Sequence, residues 1–294
     1  MHGPSPAILR YFVDRSREIE RFEDMLDGED VRFLVLKGDG GTGKSLLTSK
    51  MIDACVQRGI AWAQIEWSDS QPYTYLDVMR EIRDGTDETY FDLFTDRVKY
   101  YTERAYELKI QVESGDIENV RVLEGGKIEH SNVTVHVGHT VEIKDSYLNS
   151  LRPDRDIEEN EVVLELTRAF VPCLRALSTR TPTVIFLDAL EKADEATLDW
   201  LKRNLAAALR DNRIPGLRAV FSGRESLDLD SSYFDCCLEI ALKPFGVDDI
   251  ADYLKVRTES ENHELATFIF SQTDGHPLDT AKSVDHWIRM LRQQ

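Results

Sequence analysis

The sequence predicts an α/β fold: a parallel sheet sandwiched between helices, with an inserted β-hairpin arm and a small C-terminal helical lid. Three observations predict it. The apolar run Val31–Leu36 leads into a glycine-rich loop, and Leu47, Met51, Ala54 and Cys55 then recur at helical spacing. Further apolar runs alternate with helical patterns up to about residue 243, as in sheets covered on both faces. From Gly246 onward only helical patterns remain, broken at Gly275-His276-Pro277. The expected division is therefore a sheet domain over residues 1–243, carrying an insertion at about 112–147, and a lid over 244–294.

Val31–Leu36 (VRFLVL) reads as a central strand buried on both faces. The loop after it, Gly38-Asp39-Gly40-Gly41-Thr42-Gly43-Lys44-Ser45, matches G-x-x-x-x-G-K-[ST], the phosphate-binding loop of P-loop nucleoside triphosphatases. Strand, glycine loop and helix in that order give the motif the setting its chemistry requires. Backbone N–H groups from Gly41 to Ser45 are expected to face phosphate oxygens at the start of the following helix. Lys44 is expected to reach the β- and γ-phosphates, and the Ser45 hydroxyl to ligate Mg²⁺. Gly40, Gly41, Thr42, Gly43, Lys44, Ser45 and Leu46 form the expected nucleotide-binding set. A glycine-rich turn matching by accident is the competing reading, and the flanking elements weigh against it.

The next strand is Ile60–Glu66, followed by a polar loop and a helical pattern through Leu76, Val78, Met79 and Ile82. A second helical pattern runs from Glu88 to about Lys109, and another over Glu161–Leu177 with Leu166, Phe170 and Leu174 on its apolar side. The strand Thr183–Leu187, a helix near Glu195–Leu209 and the strands Leu217–Phe221 and Leu238–Leu242 complete the sheet. Between Val112 and Ile143 the rhythm changes to period two, with Val120/Val122, Val133/Val135/Val137 and Val141/Ile143 between turn residues. This segment reads as a hairpin arm able to pair or oligomerise, or as a partly ordered surface loop. His130, His136 and His139 have no cysteine or carboxylate in ligand spacing, so a metal site is not expected there.

Composition narrows the partners. The chain has 294 residues, 41% hydrophobic and 31% charged, and a net charge of −18. That charge opposes broad electrostatic capture of nucleic acid. One local exception, Arg97, Lys99, Arg104 and Lys109, lies among aromatic residues; it reads as a solvated helix face or as a surface for a partner or nucleic acid. No membrane span or signal peptide is visible, so the cytoplasm is the expected compartment. Four cysteines in no zinc spacing are expected to be thiols, and Cys236-Cys237 to lead into a strand.

A glycine loop needs a second carboxylate for the metal and a group that orients water. Val184-Ile185-Phe186-Leu187-Asp188 supplies the carboxylate at the C-terminal end of a buried strand, where open α/β sheets bind ligands. Because Ala189 follows Asp188, the first candidate to polarise water is Glu191; an exposed loop carboxylate is its alternative. Arg224, at a polar turn after the next strand, is a candidate γ-phosphate sensor or an ordinary surface arginine. Glu191-Lys192-Ala193-Asp194 only faintly matches the guanine-reading N-K-x-D and sits after the wrong strand, so ATP is the expected nucleotide.

In this order the elements resemble the STAND class of P-loop ATPases, signal-transduction ATPases related to AAA+ proteins that include NACHT and NB-ARC modules. Phe12-Val13-Asp14-Arg15-Ser16-Arg17-Glu18 resembles that class's F-x-G/D-R-x-x-E segment, FLDALEKAD its hydrophobic D-A-L-D-E signature, and Leu242-Lys243-Pro244-Phe245 with Gly275-His276-Pro277-Leu278 its lid. The resemblance implies that Val13 and Arg15 lie beside the adenine and that Pro277 packs near it in a closed, ADP-bound form. It also implies a slow ATPase switch whose nucleotide state sets lid position and homo-oligomeric assembly, with protein partners and a role in immunity or antiviral defence. Glu191 and Lys192 replace the class's acidic pair, which predicts slow hydrolysis or none. The chain ends soon after the G-H-P helix, so the expectation is an excised module or one that signals through separate proteins.

Three rivals stay open. An AAA+-like initiator handling DNA would need a lid arginine, for which Arg257 and Arg289 are the candidates. A small-molecule kinase would need an arginine-rich lid, whereas this one carries Asp248, Asp249, Glu259, Glu261 and Glu264. A nucleotide-binding adaptor without turnover would fit Ala189 and Lys192.

Overall fold

The computed structural model describes residues 10, 12, 13, 15–68, 70, 73–102, 122, 123, 127, 128, 159–225 and 227–291. The chain divides into two compact units, Met1–Glu88 with Arg175–Gln294, and Thr89–Leu174.

The first unit holds the sheet and the C-terminal helices. It begins with α1 (Ser16–Asp27), which buries Phe22 and Met25 one turn apart. The sequence reading assigned no helix there, because the stretch is mostly charged and its apolar stripe is narrow. The strands are β1 (Phe33–Lys37), β2 (Ala61–Glu66), β5 (Thr183–Asp188), β6 (Leu217–Gly223) and β7 (Cys237–Ala241). They form one parallel sheet in the order β2-β5-β6-β1-β7. All six residues of β5 are buried, as a central parallel strand requires. Helix α2 (Lys44–Arg58) follows the glycine loop and ends at Gly59, whose left-handed φ of 67° lets its N–H cap the last turn. Helix α3 (Tyr75–Gly85) starts at a capping box: the Asp77 carboxylate accepts the Thr74 N–H at 2.9 Å, and the Thr74 hydroxyl accepts the Asp77 N–H at 3.4 Å.

One face of the sheet packs Leu34, Leu36, Phe186 and Val220 against Phe22 of α1 and Met51 of α2, all at 1% exposure or less. Each such side chain removed from water contributes about 1.5–3 kcal/mol before entropy is counted. The phosphate-loop helix is therefore anchored to the strand that precedes it and to both flanking strands. Helix α6 (Glu195–Trp200) is N-capped by Asp194, whose carboxylate accepts the Thr197 N–H at 2.6 Å. It runs on through a π segment, Leu201–Ala206, into Ala207–Arg210, so the single helix expected over Glu195–Leu209 has a widened middle.

The C-terminal helices are α7 (Val247–Thr258), α8 (His263–Thr273) and α9 (Pro277–Leu291). They enclose their own cluster of Ile250, Leu254, Ala266, Ile269 and Val284, so the three helical patterns after Gly246 form a packed bundle. The second unit contains a helix, α4, described over residues 92–102. Its Phe94 and the adjoining Phe91 are fully buried against Phe170, with ring centroids 5.2 and 5.6 Å apart. Phe170 belongs to α5 (Glu159–Arg180). Arg97 pairs with Glu165 at 3.8 Å. Phe91 and Phe94 are therefore interior and unavailable for stacking on bases, whereas Tyr100 of α4 is exposed. Arg104, Tyr106 and Lys109 lie outside the described residues.

Of the expected hairpin arm, β3 (Val122–Leu123) and β4 (Lys127–Ile128) are described; they pair antiparallel with Val122 opposite Ile128. The rest of residues 112–147, with His130, His136 and His139, lies outside the described residues. All four cysteines are thiols, and burial pushes Cys55 and Cys237 up to about 12. Cys237 opens β7, as expected of the adjacent pair. Among the described residues no helix is long and apolar enough to cross a membrane.

The lid is tied back at one tight point. Gly275 adopts φ 72°, its carbonyl accepts the Phe245 N–H at 2.8 Å, and a Cβ there would lie 2.0 Å from the Phe245 oxygen. Gly275→Ala meets both a left-handed backbone and a backbone clash, so it is expected to cost at least about 2 kcal/mol. Thermal unfolding followed by circular dichroism should move down by several degrees; an unchanged midpoint would show that the turn is not held as described.

Candidate functional site

The glycine loop joins the C-terminal end of β1 to α2. Gly41 and Gly43 take φ of 81° and 90°, backbone that L side chains rarely adopt. A Cβ placed on Gly43 would meet nothing within 4 Å, so the space before the first turn of α2 is open. That turn contains no acidic residue of its own. Lys44 folds over the loop and donates to the carbonyls of Gly38 at 2.6 Å and Asp39 at 2.9 Å. The Thr42 hydroxyl also donates to the Asp39 carbonyl, at 2.8 Å, and the Thr42 N–H is directed to the same oxygen at 3.4 Å. The loop holds its cradle shape through its own hydrogen bonds.

Asp188 ends β5 and is 2% exposed. Its Oδ2 accepts from the Ser45 hydroxyl at 2.7 Å, and its Oδ1 accepts the Ala189 N–H at 2.9 Å. Ala189 stands at φ 62°, a left-handed conformation that turns the chain away directly after the carboxylate. A hydroxyl and a carboxylate meeting beside a phosphate-type loop are the hard oxygen donors that suit Mg²⁺. The donor set fits the cation.

Glu191 lies in the short turn Leu190–Lys192, and Arg224 follows β6 directly. The Glu191 carboxylate accepts the Arg224 N–H at 3.3 Å and pairs with the Arg224 Nε at 3.3 Å. The guanidinium also approaches the loop: its Nη2 is 3.7 Å from where a Cβ on Gly40 would sit. Lys44, Ser45, Asp188, Glu191 and Arg224 therefore meet at the C-terminal ends of β1, β5 and β6, the place where such sheets bind ligands.

The N-terminal segment and the lid occupy the outer side of the same loop. Arg15 is 6% exposed at φ 91°, and its Nη2 donates to the carbonyls of Thr42 at 3.3 Å and Lys243 at 2.8 Å. Its guanidinium lies 5.3 Å from the centre of the Phe245 ring. Arg15 thus binds the glycine loop and the start of the lid. Val13 packs against the lid cluster, while Phe12 packs against the sheet cluster. Pro277 is buried at the first position of α9, where its missing N–H costs nothing. Its neighbours were not foreseen: His276 Nε2 is 2.9 Å from the Gly40 carbonyl, and the Leu278 N–H donates to the Gly41 carbonyl at 3.1 Å. The G-H-P spelling is the sequence signal for this turn, and its histidine, not its proline, makes the contact with the loop. Of the lid arginines the DNA-handling reading needs, Arg257 is engaged inside the lid, bonded to the Tyr253 hydroxyl at 2.8 Å and paired with Asp285. Arg289 is exposed on α9.

The family model described as AAA ATPase domain matches residues 11–214. The chain belongs to that family. The AAA ATPase match runs from the Arg15 segment past Asp188, so it covers the glycine loop and the carboxylate that meets it. No curated protein sequence matches the chain. Among solved structures it is similar to a STAND protein with a tetratricopeptide repeat sensor from Pyrococcus horikoshii, at 13% identity and TM-score 0.44, over 90% of this chain and 28% of that one. It is similar to RuvB of Thermotoga maritima at 13% identity and TM-score 0.47, covering 97% and 67%. It is also similar to the Orc1 protein of Aeropyrum pernix, solved in complex with DNA, at 13% identity and TM-score 0.43, covering 95% and 58%. The chain thus spans a little over a quarter of the STAND protein's length.

Arg15→Ala would remove two charge-assisted hydrogen bonds, to the Thr42 and Lys243 carbonyls. It is expected to destabilise by about 1.5–3 kcal/mol. Denaturant titration of both proteins reads this as a lower midpoint at equal slope; equal midpoints would contradict the clamp.

Proposed function

We propose that this AAA ATPase domain is an ATP-dependent molecular switch of the STAND type, with slow hydrolysis, whose ATP or ADP state sets the position of the C-terminal lid. The observation that carries the reading is that the Gly275–Leu278 turn of the lid is hydrogen-bonded directly to the glycine loop, at Gly40 and Gly41. A ligand shifts an equilibrium only through its differential affinity for the two states. A lid seated on the phosphate loop is where that difference can arise.

In this reading Gly40 to Leu46 bind the phosphates, with Lys44 turning from the Gly38 and Asp39 carbonyls to the β- and γ-phosphates. Ser45 and Asp188 hold Mg²⁺, which neutralises phosphate charge when bound. Arg224 senses the γ-phosphate, and Glu191 orients water. Val13, Arg15 and Pro277 line the adenine side. Slow turnover is supported by Glu191 and Lys192 standing where the STAND class carries an acidic pair. The absence of a carboxylate next to Asp188 supports it too. The resemblance to STAND proteins extends the proposal to nucleotide-dependent assembly with copies of itself, to separate effector or sensor proteins, and to a cytoplasmic setting in defence or immunity.

The test is equilibrium binding of ATP and ADP together with single-turnover hydrolysis. Wild type should bind both nucleotides, and its hydrolysis should be slower than about 1 s⁻¹, the low end for enzymes. Lys44→Ala should weaken binding at least about tenfold, the loss of one charge-assisted phosphate contact. A Lys44→Ala protein that keeps wild-type affinity would overturn the assignment of the site.

A further inference from the structure

Three consecutive carbonyls of the glycine loop accept hydrogen bonds from outside it: Gly40 from His276, Gly41 from the Leu278 N–H and Thr42 from Arg15. A trans peptide is planar, with its C=O and N–H on opposite sides. Holding the Gly40 and Thr42 oxygens toward the lid and its hinge therefore turns the N–H groups of Gly41 and Gly43 the other way. The Gly41 N–H shares a peptide with the Gly40 oxygen, and the Gly43 N–H shares one with the Thr42 oxygen. The space before Gly43 is open, whereas a Cβ on Gly41 would strike His276 Cε1 at 2.7 Å and Leu278 Cβ at 2.9 Å. At Gly41 the lid fills the place of a side chain, and at Gly43 that place is empty.

Since the Gly40 oxygen can only accept, the His276 Nε2 carries the hydrogen of that bond. The other ring nitrogen is buried with an Asp279 oxygen 3.0 Å away, outside hydrogen-bond geometry. Asp279 itself is held low chiefly by its bond from Lys282, with His276 a lesser cause. A carboxylate thus stands behind the ring that faces Gly40.

We infer that His276 is a positioning residue for the phosphates: through the Gly40–Gly41 peptide it orients and polarises a phosphate-facing N–H, so that lid docking and phosphate binding strengthen each other. The ligand class follows from the geometry. The coupling runs through the loop peptides, so it acts on the phosphates that ADP and pyrophosphate share and needs no base, while telling ATP from ADP falls to the γ-phosphate and Arg224. It rests on the nucleotide reading above and adds how lid and site communicate. Chained hydrogen bonds polarise one another, and coupling between two sites is reciprocal.

The test uses ADP and inorganic pyrophosphate as probes with the full chain, by titration calorimetry and by hydrogen exchange. His276→Ala should weaken ADP and pyrophosphate by the same factor, about three- to tenfold, the worth of one hydrogen bond. His276→Gln, which can offer an N–H near the place of Nε2, should recover most of the loss. In the wild type, saturating pyrophosphate should slow exchange of the Leu278 amide by a matching factor, a readout that needs no variant to fold. If His276→Ala weakens ADP but not pyrophosphate, the residue acts on the base side and the inference falls. It falls equally if pyrophosphate binds and the exchange of Leu278 does not change. If wild type binds neither ADP nor pyrophosphate, the nucleotide reading itself is wrong.

Discussion

A planar peptide cannot turn its N–H toward one partner without turning its C=O away, and the site depends on this constraint. In the glycine loop the carbonyls of residues 40 to 42 are taken by the lid and by Arg15, while the open space lies before α2. Only glycines can take the φ of Gly41 and Gly43 without strain, so the loop can face both ways at once. The sheet makes the loop rigid enough for this to matter. Strand β1 lies between β6 and β7, and α2 is packed on the same core cluster as Leu34 and Leu36. Movement at the loop is therefore resisted on the sheet side and free to pass to the lid.

The two ion-handling pairs of the site have different environments. Asp188 is buried and accepts from the hydroxyl of the exposed Ser45, so removing that hydroxyl would leave its Oδ2 without this partner. Glu191 and Arg224 meet at a more exposed rim, where a pair is worth only about 0.2–1 kcal/mol. A phosphate arriving near Arg224 would need little free energy to exchange one partner for another. The weak pair agrees with the sensing role proposed for Arg224, and the buried Asp188 with the metal role proposed for it.

Much of this was legible beforehand, for identifiable reasons. The glycine loop and the run ending in Asp188 are contiguous in sequence, and their chemistry fixes residue types at fixed spacing. Strand ends moved by one or two residues, since Lys37 and Ser222-Gly223 are less apolar than the strands they extend. The strand order β2-β5-β6-β1-β7 could not be read, because pairing among parallel strands is decided by packing far apart in sequence. Helix α1 was passed over for its high charge, although Phe22 and Met25 mark its buried side. The contacts of His276 and Leu278 with the loop bridge more than 230 residues, and the G-H-P spelling marks the turn without naming its partners. Arg15 was singled out by resemblance for the adenine, yet its hydrogen bonds go to Thr42 and Lys243.

The central claim is that the lid and the phosphate loop form one closed unit that retains its nucleotide. The direct measurement is to denature the purified protein and identify the released nucleotide by chromatography, in moles per mole of chain. The account predicts close to one ADP per chain. Folded protein that is empty, and that then binds and turns over ATP freely, would contradict it.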